Sequence, residues 1–139
     1  MLTPSDYLHV LRTSGVTFYT GVPDSLLKEF CACVTTTIKP QNHVIAANEG
    51  AAMGLGIGHY MGTGTIPLVY LQNSGLGNIV NPLLSLASSE VYGVPILLML
   101  GWRGEPGKKD EPQHVHQGRV MVQMLEDMGV PVFVLSDKI

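Results

Sequence analysis

Short runs of consecutive apolar residues alternate along this chain with longer segments in which apolar residues recur at helical spacing. The runs predict five strands, at residues 16–20, 43–47, 66–71, 94–100 and 131–135. The segments around them predict helices over about 3–14, 24–34, 48–61, 78–87 and 114–128. Strands that are apolar throughout, rather than alternating, are typical of a parallel sheet covered on both faces. The sequence therefore predicts an α/β fold in three layers (α/β/α), with a mostly parallel sheet in the middle.

The composition fits one domain over residues 1–139 and argues against some classes of binding partner. Apolar residues make up 45% of the chain and charged residues 14%, which argues against a disordered tail or a coiled coil. The net charge of −3 comes without a basic stripe, so we expect no nucleic-acid partner. Every apolar run is interrupted well before the ~18 residues that a membrane span needs. With no secretory signal and with Cys31 and Cys33 read as reduced thiols, we expect a cytoplasmic protein.

Ligands of open parallel sheets bind beyond the carboxyl ends of the strands. Four loops leave such ends here, at residues 21–25, 48–50, 72–77 and 101–117, and all are rich in glycine and polar side chains. No phosphate-binding loop follows a strand. The glycines at 54, 56 and 58 lie inside a predicted helix, where close packing explains them better than a phosphate would.

Glu49 starts the most apolar of the predicted helices. A carboxylate at that position is favoured by the helix dipole, and this alone would account for it. The apolar neighbours that follow also make Glu49 a candidate acid or base with a raised pKa. Both interpretations remain open from residue types alone.

The loop before the last predicted helix carries histidines and several cations. His114 and His116 are spaced like metal ligands but lack supporting cysteines, so we predict no metal site in this chain. The cations form either a solvated surface or a site for an anion such as a phosphonate or sulfonate. They are Arg103, Lys108, Lys109 and Arg119.

Residues 48–64 resemble the glutamate-bearing helix of the pyrimidine-binding domain of thiamine diphosphate enzymes. Three further stretches, 21–25, 71–82 and 101–114, are similar to phosphonopyruvate decarboxylases, and sulfopyruvate decarboxylases are close relatives of these. The resemblance extends over essentially the whole chain.

The resemblance implies decarboxylation of a 2-keto acid, with phosphonopyruvate giving phosphonoacetaldehyde and carbon dioxide as the first choice. It implies that Glu49 hydrogen-bonds the pyrimidine ring nitrogen of thiamine diphosphate, and that His114 is a second catalytic residue. The other implied cofactor contacts are Gly21, Pro23, Asn73, Ser74 and Gly75. The implied contacts to a small anionic substrate are Ser25, Asn73, Arg103, Lys109 and His114.

One departure from the family pattern affects the expected partners. Thiamine diphosphate enzymes hold Mg²⁺ and the diphosphate on a second domain with a Gly-Asp-Gly segment, which this sequence lacks. We therefore expect the chain to supply half of an active site and to form a homo- or hetero-oligomer with a diphosphate-binding domain or subunit. The alternatives are the alpha subunit of a sulfopyruvate decarboxylase and a non-catalytic regulatory or scaffold domain. A nucleotide- or phosphosugar-binding module would need the phosphate loop that is missing.

Overall fold

The computed structural model describes residues 3–135 and contains one parallel sheet of four strands, in the order β2-β1-β3-β4. The strands are β1 (Phe18–Gly21), β2 (His43–Ile45), β3 (Pro67–Gln72) and β4 (Leu97–Gly101). The helices are α1 (Pro4–Thr13), α2 (Lys28–Thr37), α3 (Glu49–Thr63), α4 (Leu76–Pro82) and α5 (Pro112–Asp127). A π-helical turn, Leu83–Ala87, continues α4, and short 3₁₀ turns lie at Pro40–Asn42 and Asn73–Gly75.

Helices cover both faces of the sheet, which confirms the predicted three-layer arrangement. On one face, α1 and α2 pack against Tyr19 and Tyr70, both fully buried. On the other face, α3, α4 and α5 pack against Val69 and Leu71. The continuous apolar runs are explained by this burial on two sides, because β1 and nearly all of β3 have no exposed face. No helix within residues 3–135 combines the length and apolar character that crossing a membrane requires.

The start of α3 is fixed by a local signal that the sequence carries. The Oδ1 atom of Asn48 accepts a hydrogen bond of 2.9 Å from the backbone N–H of Ala51, which caps the helix. The helix ends where Gly64 adopts a left-handed conformation, with φ of 72°. Because Asn48 follows β2 closely, the cap holds Glu49 at the carboxyl-end edge of the sheet.

The predicted fifth strand at 131–135 is wrong, since these residues have no strand structure. They border a cavity of about 530 Å³ whose opposite wall includes residues 97–101 of β4. Paired strands lie about 4.8 Å apart, so an open space of this size keeps the segment out of pairing distance. The predicted start of the fourth strand at 94 also shifts, to Leu97, because Pro95 has no N–H for a ladder.

The order of the strands creates a switch point between the carboxyl ends of β1 and β3, which we call the crevice. The chain passes from β1 outward to β2, then returns across β1 to form β3 on its other side. The loops that leave β1 and β3 therefore run in opposite directions, and ligands of open α/β sheets bind at such a switch point. The loops concerned are residues 22–27 and the turn Asn73–Gly75.

Candidate functional site

Glu49 lies beside this crevice, and two residues of the segment after β3 fix its side chain. Its Oε2 atom accepts a hydrogen bond of 2.7 Å from Nδ2 of Asn78, near the start of α4. The carboxyl group also rests on Gly75, where an added Cβ would collide with Cγ, Cδ and Oε1 of Glu49. Gly75 is needed here for space and not for a special backbone conformation, because its φ is −81°. Glu49 is half-buried, and its carboxylate is therefore held by a hydrogen bond to one oxygen and by contact with the backbone of Gly75.

Asn73 connects the end of β3 to the loop that follows β4. Its side chain is only 3% exposed and makes two bonds to the backbone of Arg103. Nδ2 donates to the Arg103 carbonyl at 2.7 Å, and Oδ1 accepts from the Arg103 N–H at 3.2 Å. The Asn73 amide is therefore used in holding the loop, while the neighbouring Ser74 is exposed and donates to Gln72 at 2.6 Å.

Asp24, in the loop after β1, is a buried carboxylate that the sequence analysis did not select. It is 6% exposed and accepts hydrogen bonds from Nε2 of Gln72 at 2.6 Å and from the N–H of Leu26 at 3.1 Å. Gly101, at the end of β4, allows this approach, because a Cβ there would overlap the Asp24 carboxylate. A hydrogen bond therefore joins the ends of β1 and β3, and Asp24 also packs closely against the end of β4.

Arg103 follows β4 and reaches back to the loop after β1. Its Nη1 atom lies 3.2 Å from Oγ of Ser25, and its Nε and Nη2 atoms bond both carboxylate oxygens of Asp110. The hydrogen bond from Arg103 is the largest cause that holds the pKa of Asp110 well below its usual range. The same bond raises the pKa of Arg103, so both groups stay charged at neutral pH.

Four other predicted site residues are placed less directly. Gly21 is buried against Tyr70 and leaves no room for a side chain, whereas Pro23 is exposed. Lys109 is exposed and makes no hydrogen bond or ion pair to any residue within 3–135. His114 lies in the first turn of α5, and its buried Nδ1 atom has no hydrogen-bond partner in the described part of the chain.

The structure thus joins the predicted residues in two connected groups. Ser25, Asn73 and Arg103 form one, and Glu49 on Gly75 forms the other, two residues along the chain from Asn73. Sequence reasoning missed Asp24, Gln72, Asn78 and Asp110. All four lie inside the stretches that carried the family resemblance, which was the available signal. Within residues 3–135, no cluster of three or more metal-ligating side chains is present.

Comparisons with known proteins identify relatives in sequence and in fold. The sequence model described as "Thiamine pyrophosphate enzyme, N-terminal TPP binding domain" matches residues 5–125. Phosphonopyruvate decarboxylase of Streptomyces hygroscopicus is 39% identical over 86% of this chain, and the match spans 29% of that protein. Sulfopyruvate decarboxylase subunit alpha of Methanococcus maripaludis is 34% identical over 86% of this chain and 69% of its own length. A solved thiamine diphosphate-dependent 4-hydroxybenzoylformate decarboxylase of Rhodococcus jostii superimposes with a TM-score of 0.59 and 26% identity, covering 73% of this chain and 19% of that chain.

The fold is the three-layer α/β/α type found in thiamine diphosphate-dependent enzymes. The chain belongs to the family of N-terminal TPP-binding domains of thiamine pyrophosphate enzymes. The expected similarity to phosphonopyruvate decarboxylases, with sulfopyruvate decarboxylase alpha subunits next, is confirmed.

The residues present fit the cofactor that this family takes. A carboxylate can accept a hydrogen bond from a protonated ring nitrogen, and the protonated carboxyl group can donate a hydrogen bond or a proton to an unprotonated one. Asn78 occupies one oxygen of Glu49, and the side chain keeps exposed surface at which a ring can approach. The carboxylate packs against the backbone of Gly75, and any larger residue at position 75 would displace the Glu49 side chain.

Proposed function

We propose that this chain provides the pyrimidine-binding half of the active site of a thiamine diphosphate-dependent 2-keto acid decarboxylase, with phosphonopyruvate as substrate. The observation that carries the proposal is the position of Glu49, held by Asn78 over Gly75 at the crevice. Ser25 follows β1 and Arg103 follows β4, at the carboxyl ends of the two strands that flank β3, where they can bind the anionic substrate. The names of the two phosphonopyruvate decarboxylases at 39% and 36% identity support the choice of substrate.

The roles of the protein groups follow from their chemistry. Thiamine diphosphate, when bound, supplies an electron sink for the electrons released as carbon dioxide leaves a 2-keto acid. Glu49 holds or releases a proton at the pyrimidine ring nitrogen, which tunes the reactive form of the cofactor. Ser25 and Arg103 orient the substrate through its anionic end, and Asn73 keeps the Arg103 backbone in place. His114, with a ring nitrogen that has no partner among residues 3–135, is the candidate for moving a proton to or from the reacting centre.

The second half of the site is proposed to lie on another domain or subunit. The chain spans about 30% of the length of the phosphonopyruvate decarboxylases that it matches. It also contains no Gly-Asp-Gly segment with which to hold Mg²⁺ and a diphosphate. A diphosphate-binding domain, with Mg²⁺, would therefore complete the site in a homo- or hetero-oligomer.

A sulfonate substrate is the second candidate. The match to the sulfopyruvate decarboxylase alpha subunit extends over 69% of that subunit, a larger share than for the phosphonate enzymes. Phosphonates and sulfonates are both tetrahedral oxyanions, so the same arginine and serine would serve either acid.

The test is decarboxylation by the chain together with its diphosphate-binding domain, thiamine diphosphate and Mg²⁺. We expect kcat/KM to be highest for phosphonopyruvate among phosphonopyruvate, sulfopyruvate and pyruvate. Glu49→Gln should lower turnover by about 10²–10⁴, because an amide cannot exchange a proton with the ring nitrogen. Its matched control is Glu29→Gln, which removes another acid from the first turn of a helix and should leave turnover unchanged.

Two results would refute the proposal. If pyruvate were turned over as well as phosphonopyruvate, the substrate assignment would be wrong. If Glu49→Gln retained near wild-type turnover, Glu49 would be only a residue that favours the helix start.

A further inference from the structure

Asp110 accepts four hydrogen bonds within the loop between β4 and α5. The Nε atom of Arg103 donates to Oδ2 at 2.8 Å, and Nη2 of the same residue donates to Oδ1. The backbone N–H groups of Gly104 and Glu111 donate to Oδ2 and Oδ1 at 2.7 and 2.8 Å. One carboxylate thus closes the loop onto itself and grips the arginine at two points.

These bonds leave the Arg103 guanidinium only one edge for a ligand. Its five N–H donors lie in a rigid plane, so fixing Nε and Nη2 also fixes the direction of Nη1. Nη1 points at the hydroxyl of Ser25, 3.2 Å away, and Ser25 is exposed. Asn73 clamps the backbone of the same arginine through both its N–H and its carbonyl. Neither the backbone nor the side chain of Arg103 is therefore free to turn.

We infer that Asp110 is a positioning residue that holds the Nη1 edge of Arg103 beside the Ser25 hydroxyl, so that the two together bind the terminal tetrahedral oxyanion of the substrate. The inference rests on the proposed function and adds to it the residue that sets substrate specificity. An arginine paired with a carboxylate carries little net charge, so recognition at this edge depends on the direction of the hydrogen bonds. A 2-keto acid without a terminal oxyanion, such as pyruvate, gains nothing from this edge.

The inference predicts a split between KM and kcat. In the reconstituted enzyme, Asp110→Asn should raise KM for phosphonopyruvate about tenfold, the size expected for losing one hydrogen bond to a charged group. An asparagine amide keeps one acceptor oxygen but puts an NH2 donor in place of the other, so Arg103 can no longer be bound at two points. The kcat value, the KM for pyruvate and the dissociation constant of thiamine diphosphate should all stay within about twofold of the wild type.

Two further variants separate position from charge. Asp110→Glu keeps the negative charge but moves it by one methylene, and it should raise KM for phosphonopyruvate as Asp110→Asn does. Glu105→Gln removes a carboxylate from the same loop, where Glu105 pairs with Lys108 and does not touch Arg103. This control should leave KM unchanged. An increase in KM with Asp110→Asn but not with Asp110→Glu would show that a carboxylate serves whatever its exact position, and would overturn the positioning role.

A binding measurement on the cofactor-free chain tests the inference without catalysis. Methylphosphonate or methanesulfonate is titrated while the Nε–H resonance of Arg103 and the amide resonance of Ser25 are followed by NMR. We expect saturable shifts of both resonances in wild type and at least about tenfold weaker binding in Asp110→Asn. If only one of the two probes shifts these resonances, that probe shows whether the site binds a phosphonate or a sulfonate. No saturable shift in the wild-type chain overturns the inference.

The two measurements also separate this inference from the proposed function. If the enzyme decarboxylates phosphonopyruvate and Asp110→Asn leaves KM and binding unchanged, the function stands and the positioning role fails. Suppose instead that the wild-type enzyme decarboxylates none of the three acids, but the probe binds at Arg103 and Ser25 and Asp110→Asn weakens this binding. The proposed function then fails and the oxyanion site stands.

Discussion

Replacing Asn78 with alanine removes the hydrogen bond that anchors Glu49. The bond joins Nδ2 of Asn78 to Oε2 of Glu49 over 2.7 Å, which is typical of a donor facing a charged acceptor. Hydrogen bonds to charged groups contribute about 1.5–3 kcal/mol. We use the lower limit, because Asn78 is exposed and Glu49 only half-buried. Since about 1.4 kcal/mol corresponds to tenfold in an equilibrium constant, the expected loss is about one order of magnitude.

This loss should appear in the binding of the cofactor rather than in the stability of the fold. Without Asn78 the Glu49 side chain samples several rotamers, and restricting it to one rotamer costs free energy when the pyrimidine ring binds. We expect the dissociation constant of thiamine diphosphate to rise about tenfold, measured by calorimetry on the chain with its diphosphate-binding domain and Mg²⁺. The free energy of unfolding should change by less than about 0.5 kcal/mol, as is usual for an exposed position.

Asn42→Ala is the matched control for this experiment. Asn42 precedes β2 at the amino-end edge of the sheet, opposite the crevice, and should leave cofactor affinity unchanged. If Asn78→Ala also bound thiamine diphosphate within twofold of the wild type, the contact between Asn78 and Glu49 would have no part in orienting the carboxylate.

Two other perturbations give distinct outcomes. Gly75→Ala should displace the flexible Glu49 side chain and weaken cofactor binding with little change in the thermal midpoint. The control is Gly54→Ala, where a Cβ meets open space and should not affect binding. Equal cofactor affinities in the two variants would disprove the role of Gly75 in supporting the carboxylate. Burial lowers the pKa of His43, so the unfolded chain takes up a proton below about pH 6.5 more readily than the folded chain does. Unfolding free energy should therefore fall as the pH drops from 7.5 to 5, and His43→Gln should reduce that drop in urea titrations; an undiminished drop would exclude His43 as a cause.

The fold could be predicted because its signals are local. The run at residues 66–71 is apolar throughout and becomes β3, buried on both faces. Asn48 predicts the start of α3, and its side chain caps the helix as such residues do. The segment at 131–135 carries the same apolar signal but has no strand structure, because strand formation needs a partner at pairing distance.

The chemistry of the site was less predictable, because it depends on contacts between distant segments. Arg103 was selected as a cation, but its main partner, Asp110, is determined by how the loop turns back on itself. Asp24 and Gln72 are 48 positions apart, and no local pattern indicates that they touch. Lys109, by contrast, lies exposed beside the same loop, and its contact to substrate stays a prediction.

The two sides of the site differ in how far the chain itself organises them. On the side proposed for substrate, Asn73 and Asp110 hold Arg103 through four hydrogen bonds, so its geometry exists before any partner binds. Asp110 also accepts two hydrogen bonds from the backbone of its own loop. On the side proposed for the cofactor, Glu49 has one hydrogen bond and its contact with Gly75, and its remaining surface is open. Charged groups acquire strongly perturbed chemistry where water is excluded. Under the proposed function, we therefore expect Glu49 to act fully only when a second domain and the cofactor cover it, whereas the inferred recognition of the oxyanion should not depend on that assembly.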